Sequence, residues 1–181
     1  MKEITFFGRG GQGAVVASEI LTDAYFRQGY HVQSFPSFGV ERRGAPVTAF
    51  LRTDKQFIHL RSQIYQADAG LVFASNIVGS PTFRPSVKPQ ALLVINAPTL
   101  PENLNGFDVS IIDASSIALK CGLGSAAQPL VNTAMLGAFA KAAGNLKLKH
   151  LLASVESKVP QKTEANLQAV KLAYGSVVHC E

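Results

Sequence analysis

A three-layer α/β/α architecture, with a mostly parallel open sheet between helices, is the fold class this sequence predicts. Three observations carry it. Short apolar runs with a β-branched and aromatic bias recur along the chain, several followed by stretches of helical period. A glycine-rich turn joins the first strand to the first helix. The length, 181 residues, suits one domain spanning 1–181, which can bury about 70% of its unfolded surface in a single core.

The chain opens with Glu3-Ile4-Thr5-Phe6-Phe7, a buried strand by composition. Ala17, Ile20, Leu21 and Ala24 then fall at i, i+3, i+4 and i+7, one face of an amphipathic helix. Between them lies Gly8-Arg9-Gly10-Gly11-Gln12-Gly13. Gly8, Gly10 and Gly13 match the spacing G-x-G-x-x-G of Rossmann-like nucleotide sites. Such a turn lets backbone approach a ligand and aims free N–H groups at a phosphate beside the helix N-terminus. The plainer alternative is a turn whose glycines only permit close packing. A dinucleotide fold also wants an acid at the end of its second strand to hold the ribose hydroxyls. Here that strand reads Tyr30-His31-Val32-Gln33-Ser34-Phe35 and ends at Pro36 with no acid, and Glu41 lies well past it.

Residues 34–46, Ser-Phe-Pro-Ser-Phe-Gly-Val-Glu-Arg-Arg-Gly-Ala-Pro, form a long loop with two phenylalanines and an Arg pair. Val47 to Arg52 alternates as a half-buried strand, with Phe57 to Leu60 as its expected hairpin partner. Ala69 to Ala74 is a further buried strand ending at Ser75-Asn76. Pro81, Pro85 and Pro89 limit Val78 to Lys88 to a turn of helix at most. Ala91 to Ile95 and Asp108 to Ile112 are strands, and Asp113 or Ser115 caps a short helix from Ser116 to Cys121. From Val131 the chain is expected to be helical. Leu130 to Ala140 is rich in small residues that let a helix lie close to a sheet. Two surface helices, Lys149 to Val159 and Gln161 to Tyr174, are separated by Pro160 at the start of the second.

A content of 47% hydrophobic and 16% charged residues is that of a globular protein. The apolar runs are far short of a membrane span, and Lys2-Glu3 leads directly into a strand without a signal segment, so a cytoplasmic location is expected. Cys121 and Cys180 are too few for an iron–sulfur cluster or structural zinc, and the four histidines are scattered, so no metal site is expected. Cys121 reads as a small apolar packing residue and Cys180 as part of a mobile end. The formal charge of +5 is spread along the chain without an aromatic-interleaved basic block, which argues against nucleic acid. It fits an anionic small ligand or an acidic partner protein better.

No nucleophile elbow, Cys–His pair or acid cluster is present, so no catalytic residue is assigned. Asp108 and Asp113 read as strand-end groups. The dense polar cluster is Glu41-Arg42-Arg43, whose guanidinium groups hold phosphate in a bidentate fork if the loop is more than a solvated one. Loops after the strands of such a sheet line one edge, which places Arg9, the Glu41–Arg43 loop, Asn76 and Asn96 on one rim.

Gly8 to Ala14, Phe35-Pro-Ser-Phe-Gly-Val-Glu-Arg-Arg-Gly-Ala-Pro-Val47 and Asn132-Thr-Ala-Met-Leu-Gly-Ala138 together resemble the three signatures of the gamma subunit, or gamma-type domain, of 2-oxoacid:ferredoxin oxidoreductases. The form Glu-Arg-Arg-Gly-Ala-Pro-Val is similar to pyruvate-type gamma subunits, with Phe38 and Ala45 where other members have Tyr and a second Gly. The resemblance implies a subunit of an enzyme that oxidatively decarboxylates pyruvate or a related 2-oxoacid to acyl-CoA, carbon dioxide and reduced ferredoxin. It implies thiamine diphosphate and iron–sulfur clusters on partner alpha, beta and delta subunits, with coenzyme A handled in part by this chain. The expected site is then Gly8, Arg9, Gly10, Gly11, Gln12 and Gly13, with Arg42 or Arg43 on a second phosphate or an acidic partner, and Asn76 on the rim. Phe35 and Phe38 offer apolar surface to the pantetheine arm, the adenine ring or a subunit interface. The competing classes are a stand-alone NAD(P)-dependent reductase and a purely structural assembly subunit.

Overall fold

The sheet grows outward from the first strand, β1 (Lys2–Arg9). The computed structural model describes residues 1–37 and 46–180. After β1 come α1 (Ala14–Arg27), β2 (His31–Ser37), β3 (Pro46–Asp54), β4 (Ala67–Val72), β5 (Val87–Asn96) and β6 (Asp108–Ile112). Then follow α2 (Ala114–Lys120), a small hairpin of β7 (Gly124–Ser125) and β8 (Gln128–Pro129), α3 (Asn132–Ala143), α4 (Leu148–Lys158), α5 (Thr163–Ser176) and β9 (Val178–Cys180).

One sheet of seven strands runs in the order β2-β3-β1-β4-β5-β6-β9. The centre, β1-β4-β5-β6, is parallel throughout. β3 is antiparallel to β1 and β2 antiparallel to β3, so β2 points the same way as β1. β9 closes the far edge antiparallel to β6. Five of the seven strands (β1, β2, β4, β5 and β6) therefore share one direction.

Alternation along the strands splits the apolar residues between two cores. Ile4, Phe6, Ala49, Leu51, Leu71 and Val94 face the helices and share one core with all five of them. Phe7, Phe50, Val72, Leu93, Ile95 and Val109 face the other way. That second face is the third layer, and it is covered by two 3₁₀ turns, Ser75–Gly79 and Arg84–Ser86, and irregular segments in place of α-helices. The prolines explain this: Pro81 and Pro85 lack the N–H that a continuing helix needs.

α1 buries the expected stripe, with Ala17, Ile20, Leu21 and Ala24 all at 0% exposure. Asp113 caps α2 as expected, its Oδ1 accepting from the Ser116 N–H at 2.9 Å. The small residues of α3 serve a helix as well as the sheet. A Cβ at Gly137 would run into the Val170 carbonyl of α5, and Thr133 donates to Asn166 Oδ1 at 2.9 Å across the same contact.

Several expectations are corrected. Phe57 to Leu60 is not a strand; the hairpin partner of β3 is β2, which runs through Pro36 to Ser37. Pro36 is tolerated there because an edge strand has a partner on one side only. β5 begins at Val87, before Pro89, with a register irregularity between Ala67 and Ala69 on its partner and Gln90 at φ 61°. Pro160 lies ahead of α5, which starts at Thr163. The chain does not end in helix, and Cys180 belongs to β9. Among the described residues, no helix is long and apolar enough to cross a membrane.

Candidate functional site

The glycine turn sits where β1 ends, at the carboxyl end of the parallel centre. Its Gln12 holds it in two directions. The Gln12 backbone N–H donates to the Arg9 carbonyl at 3.1 Å, while Gln12 Oε1 accepts from the Arg9 N–H at 2.8 Å. Gln12 Nε2 also reaches the Phe73 carbonyl at 3.4 Å. Asn96 Nδ2 donates to that same carbonyl at 3.0 Å and to Ser115 Oγ at 3.1 Å. These amides tie the ends of β1, β4, β5 and the start of α2 together, so Asn96 stands on the predicted rim as a structural tie.

Two glycines are required by backbone conformation. Gly11 has φ 95° and Gly13, the N-cap of α1, has φ 76°, values at which a side chain is strained. Gly13 leaves the first turn of α1 without a side-chain cap. The N–H groups of that turn have no intrahelical acceptor, which is the local chemistry that receives an anion. Gln128 and Asn132, from β8 and the start of α3, pack against this side of the turn. Gln128 Nε2 donates to the Gly11 carbonyl at 3.3 Å, and Asn132 Nδ2 lies 3.1 Å from where a Gly13 Cβ would stand.

On the other face of β1 is a cleft of about 410 Å³. Gly8 and Arg9 line it from the turn, Asn76 from the first 3₁₀ turn, and Ser37 and Val47 from the two ends of the second signature. Phe7, Phe50, Ile64, Ile77 and Phe83 form apolar walls, with Phe7 and Phe83 in an edge-to-face pair at 5.0 Å. Thr5 lines it as well, with its side chain 2% exposed.

The structure thus brings Gly8, Arg9 and Asn76 into one cleft. It turns Gly11 and Gly13 toward Gln128 and Asn132 on the helical side, with Gly10 and Gln12 in the turn between. Phe38, Arg42 and Arg43, with Glu41, lie outside the described residues. Sequence reasoning missed Thr5, Gln128 and Asn132 as site residues. Asn132 stood in the third quoted signature, and its position against Gly13 explains why that motif and the first belong together.

A nicotinamide-type site is poorly served by this topology. The ribose anchor of a dinucleotide fold comes from a parallel neighbour of the first strand. Here β3 occupies that place antiparallel, and β2 lies beyond it on the edge.

Fold and site define an open-sheet α/β protein with a glycine turn and a cleft at the carboxyl ends of its central strands. The chain belongs to the pyruvate ferredoxin/flavodoxin oxidoreductase family, whose pattern matches residues 3–176. It is 39% identical over 182 residues to the "Pyruvate/ketoisovalerate oxidoreductases common subunit gamma" of Pyrococcus furiosus, covering 96% of each chain. Among solved structures it is similar to pyruvate oxidoreductase subunit PORC of Thermotoga maritima, with TM-score 0.84, 29% identity and 100% of both chains covered. A 2-oxoglutarate:ferredoxin oxidoreductase from Magnetococcus marinus, solved with 2-oxoglutarate, coenzyme A and succinyl-CoA bound, shares the fold at TM-score 0.79 and 20% identity. The match covers 97% of this chain and 31% of that one. Within its family this chain is of the gamma type, a subunit of a 2-oxoacid:ferredoxin oxidoreductase, as its three motifs implied.

Proposed function

We propose that this chain is a single-domain subunit that binds coenzyme A for its complex and helps to assemble it, without a complete active site of its own. The observation that carries this reading is the convergence of Gly8, Arg9 and Asn76 on one cleft bordered by both ends of the second signature. Arg9 supplies the guanidinium for a phosphate at the cleft, and the uncapped first turn of α1, on the helical side of β1, offers a separate set of backbone donors. Gly10 to Gly13 shape the turn, and Gln12 fixes its conformation through both of its hydrogen bonds to Arg9. Phe38, Arg42 and Arg43, outside the described residues, are assigned to the same function from the sequence alone. The coenzyme A bound in the Magnetococcus marinus enzyme supports it through a shared fold.

Coenzyme A, when bound, supplies the thiol that accepts the acyl group; this chain binds and orients its phosphates. Thiamine diphosphate and iron–sulfur clusters are assigned to partner alpha, beta and delta subunits, with ferredoxin reached through the complex, in the cytoplasm. The 2-oxoacid is pyruvate or a branched relative, following the dual name of the Pyrococcus furiosus subunit.

Calorimetric titration of the isolated chain with coenzyme A, NADH and NADPH tests the assignment. Saturable coenzyme A binding, weakened about tenfold or more by Arg9→Gln, is expected. Saturable nicotinamide binding without coenzyme A binding would transfer the chain to the reductase class.

A further inference from the structure

Residues 55–66 join β3 to β4 without regular secondary structure, and they carry apolar side chains into solvent. Phe57 is 67% exposed, Leu60 47% and Tyr65 74%. A single exposed apolar residue needs no explanation, but several in one segment mark an interaction surface. The segment is no free tail. Ile64 is buried in the second core with Phe7 and Phe50, and the Gln56 N–H donates to Asp54 Oδ1 at 2.9 Å where β3 ends. Phe57 packs edge-to-face against His59 at 4.9 Å and against His31 of β2 at 5.9 Å. Its ring is thus held in place before a partner arrives, which lowers the ordering cost of binding. The charge of the segment is one-sided as well. It holds Lys55 and Arg61 and no Asp or Glu. Neither cation forms a salt bridge among the described residues. Lys55 lies over the Tyr30 ring instead, 3.6 Å from its centre, and the adjacent acid, Asp54, is taken by the chain's amino group.

We propose that residues 55–66 are a surface on which this chain docks an acidic, apolar-bearing segment of a partner subunit in its complex. The inference rests on the assembly part of the proposed function and deepens it, naming the surface and the chemistry of what it holds. Phe, Tyr and Arg are among the residue types that anchor protein interfaces, and Phe57, Tyr65 and Arg61 supply one of each. Carboxylates on the partner give Lys55 and Arg61 the counter-charge that this chain does not. A second copy of the chain fits worse. In a two-fold contact the same patch meets itself, so these cations would face like charges. A nucleic-acid strand fits worse too, because its binding grows with each phosphate neutralised and the segment offers only Lys55 and Arg61 as permanent cations.

The test is oxidative footprinting of side chains in the free full-length chain and in the assembled complex, both without coenzyme A. Phe57 and Tyr65 are expected to react readily in the free chain and to be protected in the complex. Phe57→Ala and Arg61→Glu then measure what each group contributes. Each is expected to raise the dissociation constant of this chain from its partners about tenfold or more. Arg61→Glu should also flatten the dependence of that constant on salt. Both residues are exposed, so the melting temperature of the free chain is expected to stay near the wild-type value. Protection elsewhere on the chain, with Phe57 and Tyr65 still reactive, would overturn this surface and leave the assembly role standing. No protection anywhere in the complex would overturn the assembly role with it. Unchanged dissociation constants in both variants would overturn the docking role. Self-association of the free chain that Phe57→Ala abolishes would give the surface to a second copy and overturn the proposal.

Discussion

The two ends of the parallel centre are built from different chemistry. At the amino end the charges are paired across four strands. Arg52, 1% exposed, donates to Glu3 Oε1 at 2.9 Å and to Gln33 Oε1 at 3.0 Å. Lys88 bridges Asp68 at 2.8 Å and Glu3 at 3.7 Å, and the Glu3 N–H donates to Asp68 Oδ2 at 2.8 Å. The chain's amino group meets Asp54 at 2.5 Å. At the carboxyl end stand glycines, an uncapped helix start and amides. One end satisfies its charged groups internally, and the other combines glycine backbone with an uncapped helix start. Stability and binding should therefore respond to different substitutions.

The largest expected effect belongs to the charged end. Glu3→Gln leaves the buried Arg52 guanidinium without its counter-charge and should cost about 3–5 kcal/mol in chemical denaturation. Coenzyme A affinity of the folded fraction should not change; a parallel loss of affinity would break the separation of the two ends.

Asp68→Asn should have a smaller effect that depends on pH. Burial alone would raise the Asp68 pKa, but the Lys88 hydrogen bond, the Glu3 N–H and the Lys88 charge outweigh it and hold it below its ordinary 3.8. A carboxylate depressed on folding contributes stability above its ordinary pKa and loses it as pH falls through the folded value. Near neutral pH the variant should lose about 1–2 kcal/mol, at the lower end for a charge-assisted bond because Lys88 is 42% exposed. The wild-type and variant stability curves should converge below about pH 4. The Asp68 hydrogen bond also raises the pKa of Lys88, so this pair weakens again only as pH rises through that raised value. A constant difference from pH 3 to pH 8 would contradict the assigned pairing.

The smallest effect is expected at the rim. Gln128→Ala removes one exposed bond to the Gly11 carbonyl and should change stability by about 0.5–1 kcal/mol. If that turn holds a ligand, coenzyme A affinity should shift as well, which separates a turn that only packs from one that binds.

Much of this was legible in the residues themselves. The turn, the buried stripe of α1, strand β6 and the Asp113 cap are local, and each rests on spacing within a few positions. Strand order was not legible. The insertion of β3 between β1 and β2 is a long-range pairing, which alternation in Val47 to Arg52 marks as a strand without naming its neighbour. β9 pairs through only Val178, His179 and Cys180, too few residues for a period. Of the residues that line the cleft, Gly8, Arg9 and Asn76 were placed on one rim by motif and strand-end position. Thr5 read as one more residue of a buried strand. Gln128 meets the turn across more than a hundred positions of chain.

The most direct test of the account is a coenzyme A titration of the assembled complex carrying either the wild-type chain or Arg9→Gln, with thiamine absorbance recorded alongside. The expected result is an affinity reduced about tenfold or more by Arg9→Gln, with an unaltered thiamine spectrum. An unchanged affinity would contradict the assignment of the carboxyl end to coenzyme A and would leave this chain an assembly subunit.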